Sequence, residues 1–344
     1  AAAICHGTCI LLKAKLPNGK YLTEGKRWTG FASAEEQYAD NYVGKKIQPF
    51  RIEDVARQMP NSKFVVGAPF SAFAVQDGNL ITGQQQNSGS AAAELVIREL
   101  ERQRINYPTY VLVHGAWSDE SAWGYVRAQL AQRANVVVVN LPAHGIDQTA
   151  VSAVGLQDYV KSVKATIMDQ PGKVTLVGHS MAGIVISQVA EEIPGKIDKL
   201  VYVAAYVPKN GEDLLSLSKQ DAKSKVAGAL EFTTDYTAAS ISKDMIVPAV
   251  CADCSDSMKE MLVKYHKAEP AKPLSEKVIL TSAKFGSLPK YFIHTSDDSA
   301  VSYELQQAMV RNNGSIRQTF VMNTSHLPFV VQPVEFVRIL SGIK

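Results

Sequence analysis

The run VTLVGHSMAG (residues 174–183) sets Ser180 between one apolar stretch and a second, IVISQVA (184–190), of helical length. A strand, a tight turn with serine at its tip and a following helix make a nucleophile elbow. The hydroxyl is then exposed, and the first helical N–H groups face any developing negative charge. Gly178 and Gly183 are the small neighbours such a turn needs. The G-x-S-x-G spacing is met only loosely, because its fifth position is Ala182 and the glycine follows one residue later. A serine hydroxyl at its ordinary pKa is a weak nucleophile, so a neutral imidazole must take its proton and a carboxylate must fix the imidazole's tautomer. Both types follow in the order Ser, acid, His. KYFIHTSDD (290–298) reads as a buried strand ending in two carboxylates, and RQTFVMNTSH (317–326) as a strand ending in histidine. His326 and Asp297 fit the roles of base and orienting acid.

Acyl transfer through such a serine passes through a tetrahedral oxyanion, which fixed N–H donors stabilise. YVLVHGAW (110–117) is a strand breaking into a glycine loop, and the backbone N–H groups of Ala116 and Met181 are the expected donors. His114 reads as a residue that orders this loop. Trp117, Tyr206 and Leu327 adjoin the catalytic loops and are the expected pocket residues.

Positioning these groups requires strand ends gathered on one edge of a sheet. Apolar strands near 109–113, 135–140, 174–177, 199–204, 290–294 and 317–322 alternate with helical stretches, the pattern of a mostly parallel sheet covered on both faces. Between about 209 and 288 the pattern changes to helical pieces rich in Lys, Ser and Asp, which reads as a cap over Ser180. Its Met245, Met258, Met261 and Leu262 read as the cap's own core and are not assigned to substrate.

The motifs HGAW, NLPAHG, GHSMAG, LVYVAAYVP, the SDD turn and TSHLPFVVQP cover most of the stretch 107–344. Together they resemble the α/β-hydrolase superfamily, in particular the branch of plant methylesterases, hydroxynitrile lyases and bacterial esterases. The resemblance implies a T-x-D acid, which places it on Asp297 rather than Asp298. It also offers a lyase alternative at the same triad. In the plant lyases of this fold a lysine follows the catalytic histidine and a threonine follows the first loop histidine; here those positions are Leu327 and Gly115, and both departures favour an esterase.

The first 104 residues are different. AICHG (3–7), RWTGFASAEE (27–36) and FAVQDGNLITGQ (73–84) resemble the chaperone and glyoxalase branch of the ThiJ/PfpI superfamily, whose fold is flavodoxin-like. The resemblance places a nucleophile on Cys5, its partner on His6 and a carboxylate near Glu35 or on Glu36. The elbow of that superfamily lies near mid-domain, whereas this chain begins four residues before it and without an initiator Met. The expectation is therefore a processed or shortened product whose partial domain is complemented by another chain, by oligomerisation or by docking. Cys5 reads as a stranded thiol without activity, the alternative being a thiol-dependent glyoxalase or chaperone role.

With 344 residues and 46% hydrophobic side chains, two domains are expected, 1–104 and 105–344. A net charge of +3, without a dense Lys/Arg run, gives no reason to invoke nucleic acid or an anionic membrane. No apolar run is long enough to span a bilayer. Cys251 and Cys254 form a lone C-x-x-C, read as a pair of cap-loop thiols in a reducing, cytoplasmic setting. The expected activity is hydrolysis of small or medium carboxylic esters through an acyl-serine. That chemistry requires no metal or organic cofactor.

Overall fold

The computed structural model describes residues 1–105 and 107–343. The chain divides into two compact units, Ala1–Asn106 and Tyr107–Lys344.

In the first unit, β1 (Ala2–Ile4) runs parallel to β5 (Leu80–Gly83), which pairs antiparallel with β4 (Ala74–Asp77). A separate parallel pair joins β2 (Arg27–Trp28) to β3 (Lys63–Phe64). The unit has its own small core, in which Trp28, Ile52, Phe64 and Leu80 are buried. These short pieces are not the continuous parallel sheet that a complete flavodoxin-like domain would show.

In the second unit, six parallel strands form one sheet. They are β6 (Thr109–Val113), β7 (Asn135–Val139), β8 (Val174–His179), β9 (Ile197–Val203), β13 (Lys290–Thr295) and β14 (Ile316–Met322), in the order β14-β13-β9-β8-β6-β7. Strand side chains alternate between faces, so a sheet covered on both sides needs apolar residues at every position. Val111, Leu176, Tyr202 and Phe292 accordingly join one core with the helices Leu156–Met168 and Ala182–Glu192. Leu112, Val177, Val201 and Ile293 join the other, with Trp123, Phe336 and Leu340. The six strands lie within a residue or two of the stretches read from apolar runs.

Between β9 and β13 lies the cap. Its antiparallel sheet of β10 (Leu230–Phe232), β11 (Ala238–Ile241) and β12 (Glu269–Pro270) is flanked by the helices Ile246–Val250 and Asp256–Lys264. Cys251 and Cys254, expected as free thiols, are instead joined by a disulfide between those two helices. Among the described residues, no helix is long and apolar enough to cross a membrane.

Candidate active site

Ser180 occupies the tip of the turn after β8 with φ of 55°, a left-handed conformation that non-glycine residues rarely adopt. The surrounding backbone holds it there. Ser180 N–H donates to Val203 O at 3.1 Å, and Ser180 O accepts the N–H groups of Gly183 at 3.1 Å and Tyr206 at 3.2 Å. A Cβ at position 183 would lie 2.0 Å from Tyr206 O, so the close approach that demands glycine falls one residue later than the standard spacing. Ala182 can therefore stand where the motif asks for glycine. On the other side, a Cβ at Gly115 would lie 2.9 Å from Ser180 Cβ and 2.8 Å from His179 Nδ1, so the glycine loop packs directly on the elbow.

His326, after β14, donates from Nδ1 to a carboxylate oxygen at 2.7 Å, but the carboxylate is Asp298. This corrects the expectation of Asp297. After β13, the backbone N–H of Asp297 bonds Thr324 O at 3.1 Å, and its side chain is exposed. The next side chain turns inward. Asp298 is 7% exposed and also accepts from Thr295 Oγ1, Gln306 Nε2, and the N–H groups of Ala300 and Val301, at 2.7 to 3.1 Å. Five donors converge on this one buried carboxylate, which orients the imidazole and leaves its Nε2 free to act as the proton acceptor.

Two other buried histidines are close by, and both are committed to backbone. His114 Nε2 accepts Leu141 N–H at 3.1 Å while Nδ1 donates to Gly115 O at 2.9 Å. Burial pushes its pKa down to about 4, so it orders the loop as a neutral ring. His179 Nε2 donates to His326 O at 2.9 Å, and burial together with the His326 ring holds its pKa well below the usual range.

Ser180 and His326 line one cavity of about 790 Å³, as do Ala116, Met181, Trp117, Tyr206 and Leu327. Met181 is the first residue before the helix Ala182–Glu192, where N–H groups lack intrahelical partners. The cap closes the cavity with Leu230, Ile241, Ile246, Met258, Met261 and Leu262. Met258, Met261 and Leu262 thus belong to the wall as well as to the cap; Met245 packs beside Ile241 and Ile246 within the cap.

Glu269, on cap strand β12, is fully buried and was not singled out in the sequence. It accepts Trp117 N–H at 3.0 Å, Tyr159 O–H at 2.6 Å and His144 Nε2–H at 2.8 Å. Trp117 is itself left-handed, with φ of 58°, and its indole N–H donates to Ala239 O on β11 at 3.0 Å. Both nitrogens of His144 face acceptors, Glu269 and Pro142 O, which calls for the imidazolium. Burial opposes that charge, but the bond and attraction to Glu269 outweigh it and raise the pKa. HGAW and NLPAHG had marked Trp117 and the stretch holding His144, but Glu269 lies 125 residues beyond that histidine.

In the first unit, Cys5 also has positive φ, 56°. Its Sγ lies 3.6 Å from His6 Nδ1, and His6 Nε2 lies 2.9 Å from Glu36 Oε1. Glu35 is turned instead to Ala32 N–H, Phe70 N–H and Gln84 Nε2. Burial, with help from the charges of Glu35 and Glu36, raises the Cys5 pKa. Among the described residues, no group of His, Cys, Asp and Glu is arranged to hold a metal ion.

Residues 110–339 match the alpha/beta hydrolase family. The chain belongs to that family. The match leaves the first unit outside it. Relatives of this chain include "Putative methylesterase 11, chloroplastic" of Arabidopsis thaliana, 27% identical over 68% of this chain and 63% of the relative. The chain thus spans less than two thirds of that relative's length. Methyl jasmonate esterase 1 of Vitis vinifera is 25% identical over 68% of this chain and 95% of the relative. The crystal structure of polyneuridine aldehyde esterase superposes with a TM-score of 0.62 at 20% identity, covering 69% of this chain and 99% of that one, a likeness of fold.

Proposed function

We propose that the protein is a serine carboxylesterase. The observation that carries this reading is the His326–Asp298 pair at 2.7 Å and a left-handed Ser180, both at the carboxyl ends of parallel strands, with Ser180 and His326 lining one apolar cavity. Ser180 Oγ attacks the ester carbonyl as His326 Nε2 takes its proton, and the N–H groups of Ala116 and Met181 receive the oxyanion. His326 returns the proton to the departing alcohol, leaving an acyl-serine. Water, deprotonated by the same imidazole, releases the acid. Relatives named for methylesterase and methyl jasmonate esterase activity agree with this class of reaction.

A cavity of about 790 Å³ walled by Leu, Ile and Met side chains favours small to medium esters with an apolar acyl group. In a series of p-nitrophenyl esters, kcat/KM should rise by up to about fourfold per added methylene until the cavity is filled, the equivalent of ~0.8 kcal/mol per buried CH₂. A flat series, or one that falls from acetate onward, would count against the apolar wall as the acyl site. The lyase alternative is poorly supported, because the threonine it uses would meet His179 and Ser180 at position 115.

A second reading, a thiol site in the first unit, would rest on the contact chain Cys5, His6, Glu36. Its raised pKa keeps the thiol protonated near neutrality, where only the thiolate is reactive. Cys5→Ser should leave ester turnover unchanged, and the wild type should consume no methylglyoxal. Consumption lost in Cys5→Ser but kept in Ser180→Ala would establish a working second site.

A further inference from the structure

The C-x-x-C of the cap loop is closed into a four-residue ring by its disulfide, and the ring holds Asp253 against the loop that carries His326. Asp253 Oδ2 accepts Ser325 N–H at 2.8 Å, its Oδ1 accepts the Ser325 hydroxyl, and the same hydroxyl lies 3.4 Å from Val250 O. Ser325 immediately precedes His326. Beyond it, His326 O is held by His179, and its ring by Asp298. We infer that Asp253 is a positioning residue for His326 and that the Cys251–Cys254 disulfide keeps it in place, making the reactivity of Ser180 dependent on the redox state of the cap loop.

The ring lies between the helices Ile246–Val250 and Asp256–Lys264. Both half-cystines are buried, Cys251 fully, in the core that also contains Trp123, Leu327 and Phe329. A dithiol reductant would attack the sulfur of Cys254, the more accessible residue. The S–S bond breaks, two electrons and two protons yield two thiols, and the reductant closes to its own disulfide. Two thiols cannot remain at bonding distance, so their van der Waals repulsion strains the four-residue loop until the sulfurs separate. The strain is relieved by movement of the loop, which carries Asp253 off Ser325. Because catalytic groups tolerate little displacement, an error of about 1 Å at His326 lowers the rate by up to ~10²-fold.

The inference rests on the esterase reading for its mechanism but is tested independently of any ester. The readout is the second-order rate of Ser180 labelling by a fluorophosphonate, which reports activation by His326, with p-nitrophenyl butyrate turnover in parallel. Asp253→Ala should slow labelling and lower kcat by about ten- to a hundredfold, with KM nearly unchanged. Asp253→Asn, which keeps an acceptor for Ser325 N–H, should recover most of the loss and guards against a folding defect in the alanine variant. Dithiol treatment of the wild type should reproduce the Asp253→Ala rate, as should the paired Cys251→Ala, Cys254→Ala variant. The same treatment should add nothing in Asp253→Ala. Equal rates in the wild type, its reduced form and Asp253→Ala would overturn the inference, as would a full further loss on reducing Asp253→Ala. Normal labelling without ester turnover would defeat the esterase reading while leaving the clamp supported or refuted by the labelling rates alone.

Discussion

Ser180→Ala should reduce ester hydrolysis by on the order of 10⁴- to 10⁶-fold while the thermal midpoint stays within a few degrees of the wild type. The loss follows from removing the atom that forms the acyl bond; what remains is whatever the oxyanion donors and binding achieve alone. The fold should tolerate the change because alanine is no worse than serine at a φ of 55°, and the bonds that hold the turn come from the backbone of Ser180. Turnover of p-nitrophenyl butyrate is the measurement, with circular dichroism melts on the same preparations. Residual activity within tenfold of the wild type would remove Ser180 from the mechanism and the esterase reading with it.

The paired acids should separate by several orders of magnitude. Asp298→Asn presents an amide to His326 Nδ1 and loses a charge that five donors surround, so kcat should fall by on the order of 10⁴. Stability should fall too, by roughly 1–3 kcal/mol for each buried donor left unpaired. Asp297→Asn alters an exposed side chain and should change kcat by less than about twofold. Steady-state kinetics and urea denaturation of the two variants provide the comparison. The opposite ranking would return the acid to Asp297.

Much of this site is written in local pattern. The central strands are apolar at every position because two helical layers bury both faces, so Val111 to Val113 or Val174 to Val177 can be found without a structure. The elbow is visible because its constraints are steric and adjacent. Asp297 and Asp298, by contrast, differ only in which way a turn directs them. A Thr324 carbonyl 27 residues away in sequence settles that, and the T-x-D spacing carries no trace of it. Glu269 and Asp253 were missed for a related reason: each is an unremarkable acid in a polar insert, and each acquires meaning from a backbone N–H 152 or 72 residues distant. Cys251 and Cys254 were misread as free thiols because a C-x-x-C spacing fits reduced, bonded and metal-holding states alike. In the first unit, Cys5, His6 and Glu36 were legible as residue types, but their approach depends on the helix Ser33–Val43 presenting Glu36 to the turn after β1.

Trp117 is gripped by the cap at both its backbone and its indole nitrogens, and it directly follows Ala116. Glu269 ties Trp117 to His144 and Tyr159 as well, so one buried carboxylate joins the cap to the loop packed against Ser180. Losing either cap contact would leave the left-handed Trp117 without a partner that offsets its strain.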